Sequence, residues 1–260
     1  MDSNVLYALG LTLIAGAATG IGAIGALFAK KENTRVLAAS LGFSAGVMIF
    51  VSMVEIFTQA RGYLSVAAGD KTGYLYTIAA FFAGVVIIGI IDWVVPSAEG
   101  DIGNLSANRS ASLSRMGMLM ALAIGIHNFP EGMVTFTSAL KNPSLGAAVC
   151  LAIAIHNIPE GIATAIPIYY ADGKRVKAFL ISFFSGITEP IGAFIGYLIL
   201  RPFLNDFVFG CLFASIAGIM VFISIEELLP MARLYDKGKL TIIGFVCGMA
   251  VMALSLFMLA

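Results

Sequence analysis

His127-Asn128-Phe129-Pro130-Glu131 stands in the middle of a long apolar run, and His156-Asn157-Ile158-Pro159-Glu160 repeats the pattern in the middle of the next. These two pentapeptides contain both histidines of the chain. On a helix, residues three and four apart share a face, so His127, Asn128 and Glu131 point one way, as do His156, Asn157 and Glu160. Each copy is a small cluster of nitrogen and oxygen donors on one helical stripe. The proline in each copy lacks an N–H and crowds the carbonyl four residues back. Pro130 is therefore expected to free the carbonyl of Ile126 and Pro159 that of Ile155, bending both helices. A bent helix with freed carbonyls beside carboxylates suits a cation.

The rest of the chain places these clusters in lipid. With 60% hydrophobic and 12% charged residues and a mean hydropathy of +0.97, the chain has too little polar surface for a soluble globule, and it reads as an all-α polytopic membrane protein. Apolar stretches over 4–29, 35–59, 74–94, 116–140, 145–170, 178–202, 207–230 and 240–259 are each near the roughly 20 residues that cross hydrocarbon as a helix. They predict eight transmembrane helices in a single transmembrane domain, 1–260. Asp2 stands where a cleavable signal would carry basic residues, and the first run is long enough to remain as a span.

Eleven basic residues, Lys30, Lys31, Arg35, Arg109, Arg115, Lys174, Arg175, Lys177, Arg233, Lys237 and Lys239, follow odd-numbered spans, against four (Arg61, Lys71, Lys141 and Arg201) on the other side. The positive-inside rule then puts the odd loops in the cytoplasm and both termini outside, in a cell inner or plasma membrane. Trp93, near a span end, fits an interfacial anchor. Residues 95–115, with Glu99-Gly100-Asp101, Asn104, Ser106, Asn108, Arg109 and Ser110, read as a flexible cytoplasmic loop without His or Cys. Cys150, Cys211 and Cys247 are widely spaced within apolar runs and read as small core fillers, with no disulfide framework. Gly16, Gly20, Gly22 and Gly25 in the first span allow close helix contact.

Gly46-Val47-Met48-Ile49-Phe50-Val51-Ser52-Met53-Val54-Glu55 in the second span aligns without a gap on Gly218-Ile219-Met220-Val221-Phe222-Ile223-Ser224-Ile225-Glu226-Glu227 in the seventh, with Gly, Met, Phe, Ser and the last Glu identical. The two spans cross in opposite senses. Spans one to three and six to eight are therefore expected to form inverted halves around spans four and five, a 3+2+3 order built on the inverted repeat found in many secondary transporters.

Charge in hydrocarbon is the most informative feature. A carboxylate at the bilayer centre costs about 2.5–3.5 kcal/mol on insertion scales, and Glu131, Glu160 and Glu189, in Thr188-Glu189-Pro190, each lie near the middle of a span with no Lys or Arg at that depth. Protons could neutralise isolated glutamates but give no reason for His127 and His156 one turn earlier. A hydrogen bond between helices is the bland account of one membrane histidine and explains the duplicated motif poorly. Imidazole, carboxylate and amide oxygen together suit Zn²⁺, Fe²⁺, Mn²⁺ or Co²⁺ and suit Cu⁺ poorly. His127, Asn128, Glu131, His156, Asn157, Glu160 and Glu189 exceed the needs of one tetrahedral ion, and two adjacent sites bridged by Glu131 and Glu160 would use them all. Glu55 and the pair Glu226 and Glu227 are either interfacial charges or the mouths of a cation route. The Met48 thioether could approach an ion, but packing is the better account of it.

On these residues the chain resembles the ZIP (Zrt/Irt-like) family of divalent-metal transporters, over essentially its whole length. The match rests on His127-Asn128-Phe129-Pro130-Glu131-Gly132, His156-Asn157-Ile158-Pro159-Glu160-Gly161 and Glu189-Pro190-Ile191-Gly192. The resemblance implies a binuclear centre, with one site near His127, Glu131, His156 and Glu160, and a second near Asn128, Glu131, Asn157, Glu160 and Glu189. It also implies that Glu189 marks a branch that handles iron as well as zinc. Unlike many relatives, the chain has no histidine in the loop after the third span.

The expected function is uptake of Zn²⁺, with Fe²⁺, Mn²⁺, Co²⁺ and Cd²⁺ as further substrates, by a protein without prosthetic group or enzymatic activity. Direction comes from the resemblance alone. The partners expected are the ions, the bilayer and a second copy in a homodimer, with no nucleic acid. An intramembrane metalloprotease would want His-Glu-x-x-His and an open water position, and no His-Glu pair occurs. A proton-coupled carrier of an organic solute would use the glutamates as proton relays and leave the histidines unexplained.

Overall fold

Apolar runs become helices throughout. The computed structural model describes residues 3–28, 34–94, 105–200, 205–236 and 239–259, and these form eight long helices joined by short connections. In chain order they are α1 (Ser3–Phe28), α2 (Thr34–Ala68), α3 (Asp70–Val94), α4 (Leu105–Lys141), α5 (Pro143–Asp172), α6 (Arg175–Leu200), α7 (Asp206–Tyr235) and α8 (Leu240–Leu259). Seven of them are long and apolar enough to cross a membrane. The exception is α4, whose apolar run is interrupted by His127, Asn128 and Glu131. Residues Lys30, Lys31, Arg201 and Lys237, and the segment 95–104, lie outside the described residues.

Helix ends differ from the hydropathy boundaries. The segment expected as a loop to residue 115 is already helical from Leu105. Residues 105–115 hold no proline or glycine, so a helix seeded in lipid propagates through polar residues that hydropathy reads as loop. Likewise α2 continues past residue 59 until Gly69, whose φ of 81° no side-chain-bearing residue readily adopts.

Inside α2 and α7 the ladder widens into π-helical turns at Val51–Ile56 and Ser224–Leu228. Both fall in the internal repeat. In each, the repeat's serine donates to the carbonyl of the repeat's methionine, Ser52 Oγ to Met48 O at 2.6 Å and Ser224 Oγ to Met220 O at 2.7 Å. A hydroxyl competing for that carbonyl loosens the local helical hydrogen bonds. In α7, Pro230 follows and withholds a further N–H.

Two packing groups result. α1, α4, α5 and α6 pack closely on one another, while α2 packs on α8 and α3 on α7. Glycines set the closeness of the first group. A Cβ at Gly22 would strike the carbonyl of Ile158, one at Gly161 that of Thr19, one at Gly132 that of Glu189, and one at Gly192 that of Phe129. Gly16 and Gly186 face each other in the same way. Small residues let backbones touch where lipid offers no hydrophobic drive to do so. Of the first-span glycines, Gly20 meets the Phe183 ring, whereas Gly25 faces open space and makes no helix contact.

The three cysteines are free, but only Cys150 is buried, and Cys247 is exposed, which corrects its reading as a core filler. Trp93 is 84% exposed at the end of α3, as an interfacial anchor requires. Met48 is fully buried in the hydrophobic core.

Candidate metal centre

A single residue, Asn142, separates α4 from α5. Its side chain caps α5 by accepting from the Ser144 and Leu145 N–H groups, and Pro143 begins the helix. This tight turn makes α4 and α5 an antiparallel pair. His127 precedes Asn142 by about as many residues as His156 follows it, which puts both pentapeptides roughly 22 Å from the turn at 1.5 Å per residue. Both pentapeptides lie within uninterrupted helix despite their prolines.

Antiparallel pairing sets each histidine beside the other helix's glutamate. His127 Nε2 lies 2.8 Å from Glu160 Oε1, and His156 Nε2 lies 3.3 Å from Glu131 Oε1. The second approach is not aligned as a hydrogen bond. Both Glu131 carboxylate oxygens and both His156 ring nitrogens are buried without a hydrogen-bond partner.

Helix α6 brings in Glu189, fully buried. Asn157 Nδ2 donates to Glu189 Oε2 at 3.2 Å and to the Ala15 carbonyl at 2.9 Å, tying α5 to α6 and α1. Asn157 Oδ1 and Glu189 Oε1 remain without partners. The Asn128 amide sits with its nitrogen toward Ile124 O at 3.2 Å and Glu160 Oε2 at 3.3 Å, since an amide oxygen facing that carbonyl and carboxylate would meet only acceptors.

All seven expected donors thus gather among α4, α5 and α6. Among the described residues, no three His, Cys, Asp or Glu side chains yet surround one point, because the donors are paired crosswise. The buried His, Asp and Glu side chains among the described residues are His127, Glu131, His156, Glu160 and Glu189, and no Lys or Arg is buried with them there. Water-excluded carboxylates need positive charge or protons, and the described residues supply no fixed cation.

The remaining sequence candidates lie apart from this cluster. Met48 packs in the core. Glu55 lines a cavity that also reaches Glu131 and His156. Glu226 and Glu227 sit half-buried in the π-helical turn of α7 and do not line that cavity. Sequence reasoning missed Gln59, whose amide nitrogen donates to Glu55 Oε1 in the same cavity. Its spacing of one helical turn from Glu55 was the available signal. It also missed Ser44, whose hydroxyl donates to the Pro159 carbonyl at 2.7 Å.

Comparison with known proteins identifies the family. The family described as ZIP Zinc transporter matches residues 101–256. The chain is 54% identical to "Zinc transporter ZupT" of Chlorobaculum parvum over 266 residues, covering 99% of both chains. It is 54% identical to the protein of the same name in Nitratidesulfovibrio vulgaris, over 99% of this chain and 98% of that one. The Lysinibacillus sphaericus protein of that name is 52% identical over the full length of both.

Proposed function

Since this chain belongs to the ZIP zinc transporter family, we propose that it carries zinc into the cytoplasm through a paired-ion centre between α4, α5 and α6. It is a membrane transporter and no enzyme. The observation that carries the reading is the burial of three carboxylates and two imidazoles with no buried Lys or Arg among the described residues. A doubly charged ion supplies the missing charge and the missing partners of Glu131, His156, Asn157 and Glu189.

One ion is held by His127, Glu131, His156 and Glu160, and the second by Asn128, Asn157 and Glu189 with Glu131 and Glu160 as bridges. On arrival a cation displaces the crosswise His–Glu contacts, and each side chain turns a lone pair from its neighbour to the metal. The mixed nitrogen and oxygen set also accepts Fe²⁺, Mn²⁺, Co²⁺ and Cd²⁺. Glu226 and Glu227 receive the ion toward the cytoplasm.

We read the fold as two inverted three-helix halves, α1–α3 and α6–α8, about the central pair. Support comes from matched contacts: Gly22 on Ile158 against Gly192 on Phe129, Gly161 on Thr19 against Gly132 on Glu189, and the π-helical turns of α2 and α7.

Uptake of radioactive zinc, iron and manganese into proteoliposomes tests the reading. His127→Ala abolishes all three, whereas Glu189→Ala loses iron selectively. Because imidazole and carboxylate bind a cation only without their protons, uptake at fixed free zinc declines as the pH falls from about 7.5 to about 5.5. Wild-type vesicles that take up no more metal than empty ones end the proposal.

A further inference from the structure

The cavity beside the centre has its own set of donors. It lies toward the end of the molecule that bears Gly69, Asn142 and Asn205, since α2 and α4 run to that end past Gln59 and Glu131, and α5 and α7 set out from it toward His156 and Ile216. Glu55, Gln59, Glu131 and His156 are its polar lining, and residues such as Phe213 and Ile216 complete an apolar wall. We propose that this cavity is a loading site for the cargo cation, held by Glu55, Glu131 and His156, with Gln59 positioning Glu55. The proposal rests on the transport reading and adds to it a third binding position ahead of the paired centre.

Three observations support it. First, the buried oxygens of Glu131 and nitrogens of His156 that face the cavity have no hydrogen-bond partner, a state that buried acceptors avoid unless a ligand completes them. Second, Glu55 is held by Gln59 and by no cation in that contact. A neutral amide orients the carboxylate and leaves its negative charge available, where a Lys or Arg would cancel it.

Third, residues four apart share a helix face and the π-helical turn adds the residue five apart, so Val51, Glu55, Ile56 and Gln59 all line one cavity. The apolar wall lowers the local polarity and strengthens the attraction of a cation to the carboxylates. Two carboxylates and an imidazole again suit borderline divalent cations. Glu131 belongs to both positions, so the ion passes inward as this carboxylate pivots.

Cadmium, a strong anomalous scatterer, is the probe. Crystals of the full chain soaked in cadmium are expected to show a peak in the cavity within ligand distance of Glu55, besides peaks between α4, α5 and α6. In Glu55→Gln the cavity peak disappears and a central peak remains. In proteoliposomes the KM for cadmium rises roughly tenfold in Glu55→Gln, the scale of losing one orienting or ligating group. Gln59→Leu raises KM less, and Glu55→Asp restores part of the loss, which a folding defect at this position would not allow. A wild-type cavity without cadmium, or a peak and KM unmoved by Glu55→Gln, overturns the loading site alone if central peaks and uptake persist. Absence of central peaks together with uptake no greater than in empty vesicles overturns the transport reading as well.

Discussion

The Asn128 amide nitrogen, turned to the Ile124 carbonyl and the Glu160 carboxylate, is a hydrogen-bond donor that ties the centre together. In the proposed paired-ion centre the oxygen of the same amide is a ligand. Asn128→Asp removes the donor and offers a stronger ligand. The metal-free variant should lose about 3 kcal/mol, the scale of an uncompensated buried charge, and its melting temperature should rise more on adding zinc than that of the wild type. Differential scanning fluorimetry with and without zinc reads both effects, and equal zinc shifts in the two proteins would remove the amide from the ligand set. The donor residues themselves were legible in the sequence, because a carboxylate or imidazole in an apolar run is costly and calls for a reason. Gln59 was not singled out, since an uncharged polar side chain one turn from a glutamate is ordinary on a helix, and only the fold shows that both reach the cavity.

At the scale of the helices, the cores of all eight followed from apolar runs of bilayer length, whereas their ends did not. Hydropathy measures where lipid stops. Backbone hydrogen bonding continues until glycine or proline ends it, as Gly69 and Asn142-Pro143 do here. The π-helical turns were illegible for another reason, since they depend on Ser52 and Ser224 hydroxyls whose partners exist only once the helix has formed. Glycines, too, read alike in sequence and separate in the structure. A methyl at Gly161 would collide with the Thr19 carbonyl on α1, while one at Gly25 meets nothing within 4 Å. Gly161→Ala should therefore force α1 off α5, costing about 1–3 kcal/mol or more, and should impair zinc binding through Asn157, which is anchored to Ala15 on α1. Gly25→Ala should be neutral or stabilise by up to about 1 kcal/mol through helix propensity. Melting temperatures of the two variants decide the matter, and a Gly161→Ala protein as stable as the wild type would mean the helices are less tightly apposed than this.

Direction of transport belongs to the whole molecule. The cavity that reaches Glu131 and His156 lies toward the end carrying Gly69, Asn142 and Asn205. Near that end the basic side chains of the described residues are Arg61, Lys71 and Lys141, the last of them paired with Asp206 at 2.9 Å and lying over the Phe209 ring. The opposite end exposes Arg35, Lys174, Arg175, Lys177, Arg233 and Lys239. Short basic loops stay in the cytoplasm, so we propose that the cavity faces outward and that the molecule, in this conformation, accepts an ion from outside. The Tyr7 hydroxyl donates to the Pro143 carbonyl at 3.4 Å, so the start of α1 lies at the same end as the cavity. The expected outcome concerns two exposed positions at opposite ends. In a background with Cys150, Cys211 and Cys247 replaced by serine, Asn142→Cys reacts with a membrane-impermeant maleimide on intact cells, and Lys174→Cys reacts only after the membrane is opened. The reverse pattern would turn the cavity toward the cytoplasm, and the same unpartnered donors would then be loaded from inside, as export requires.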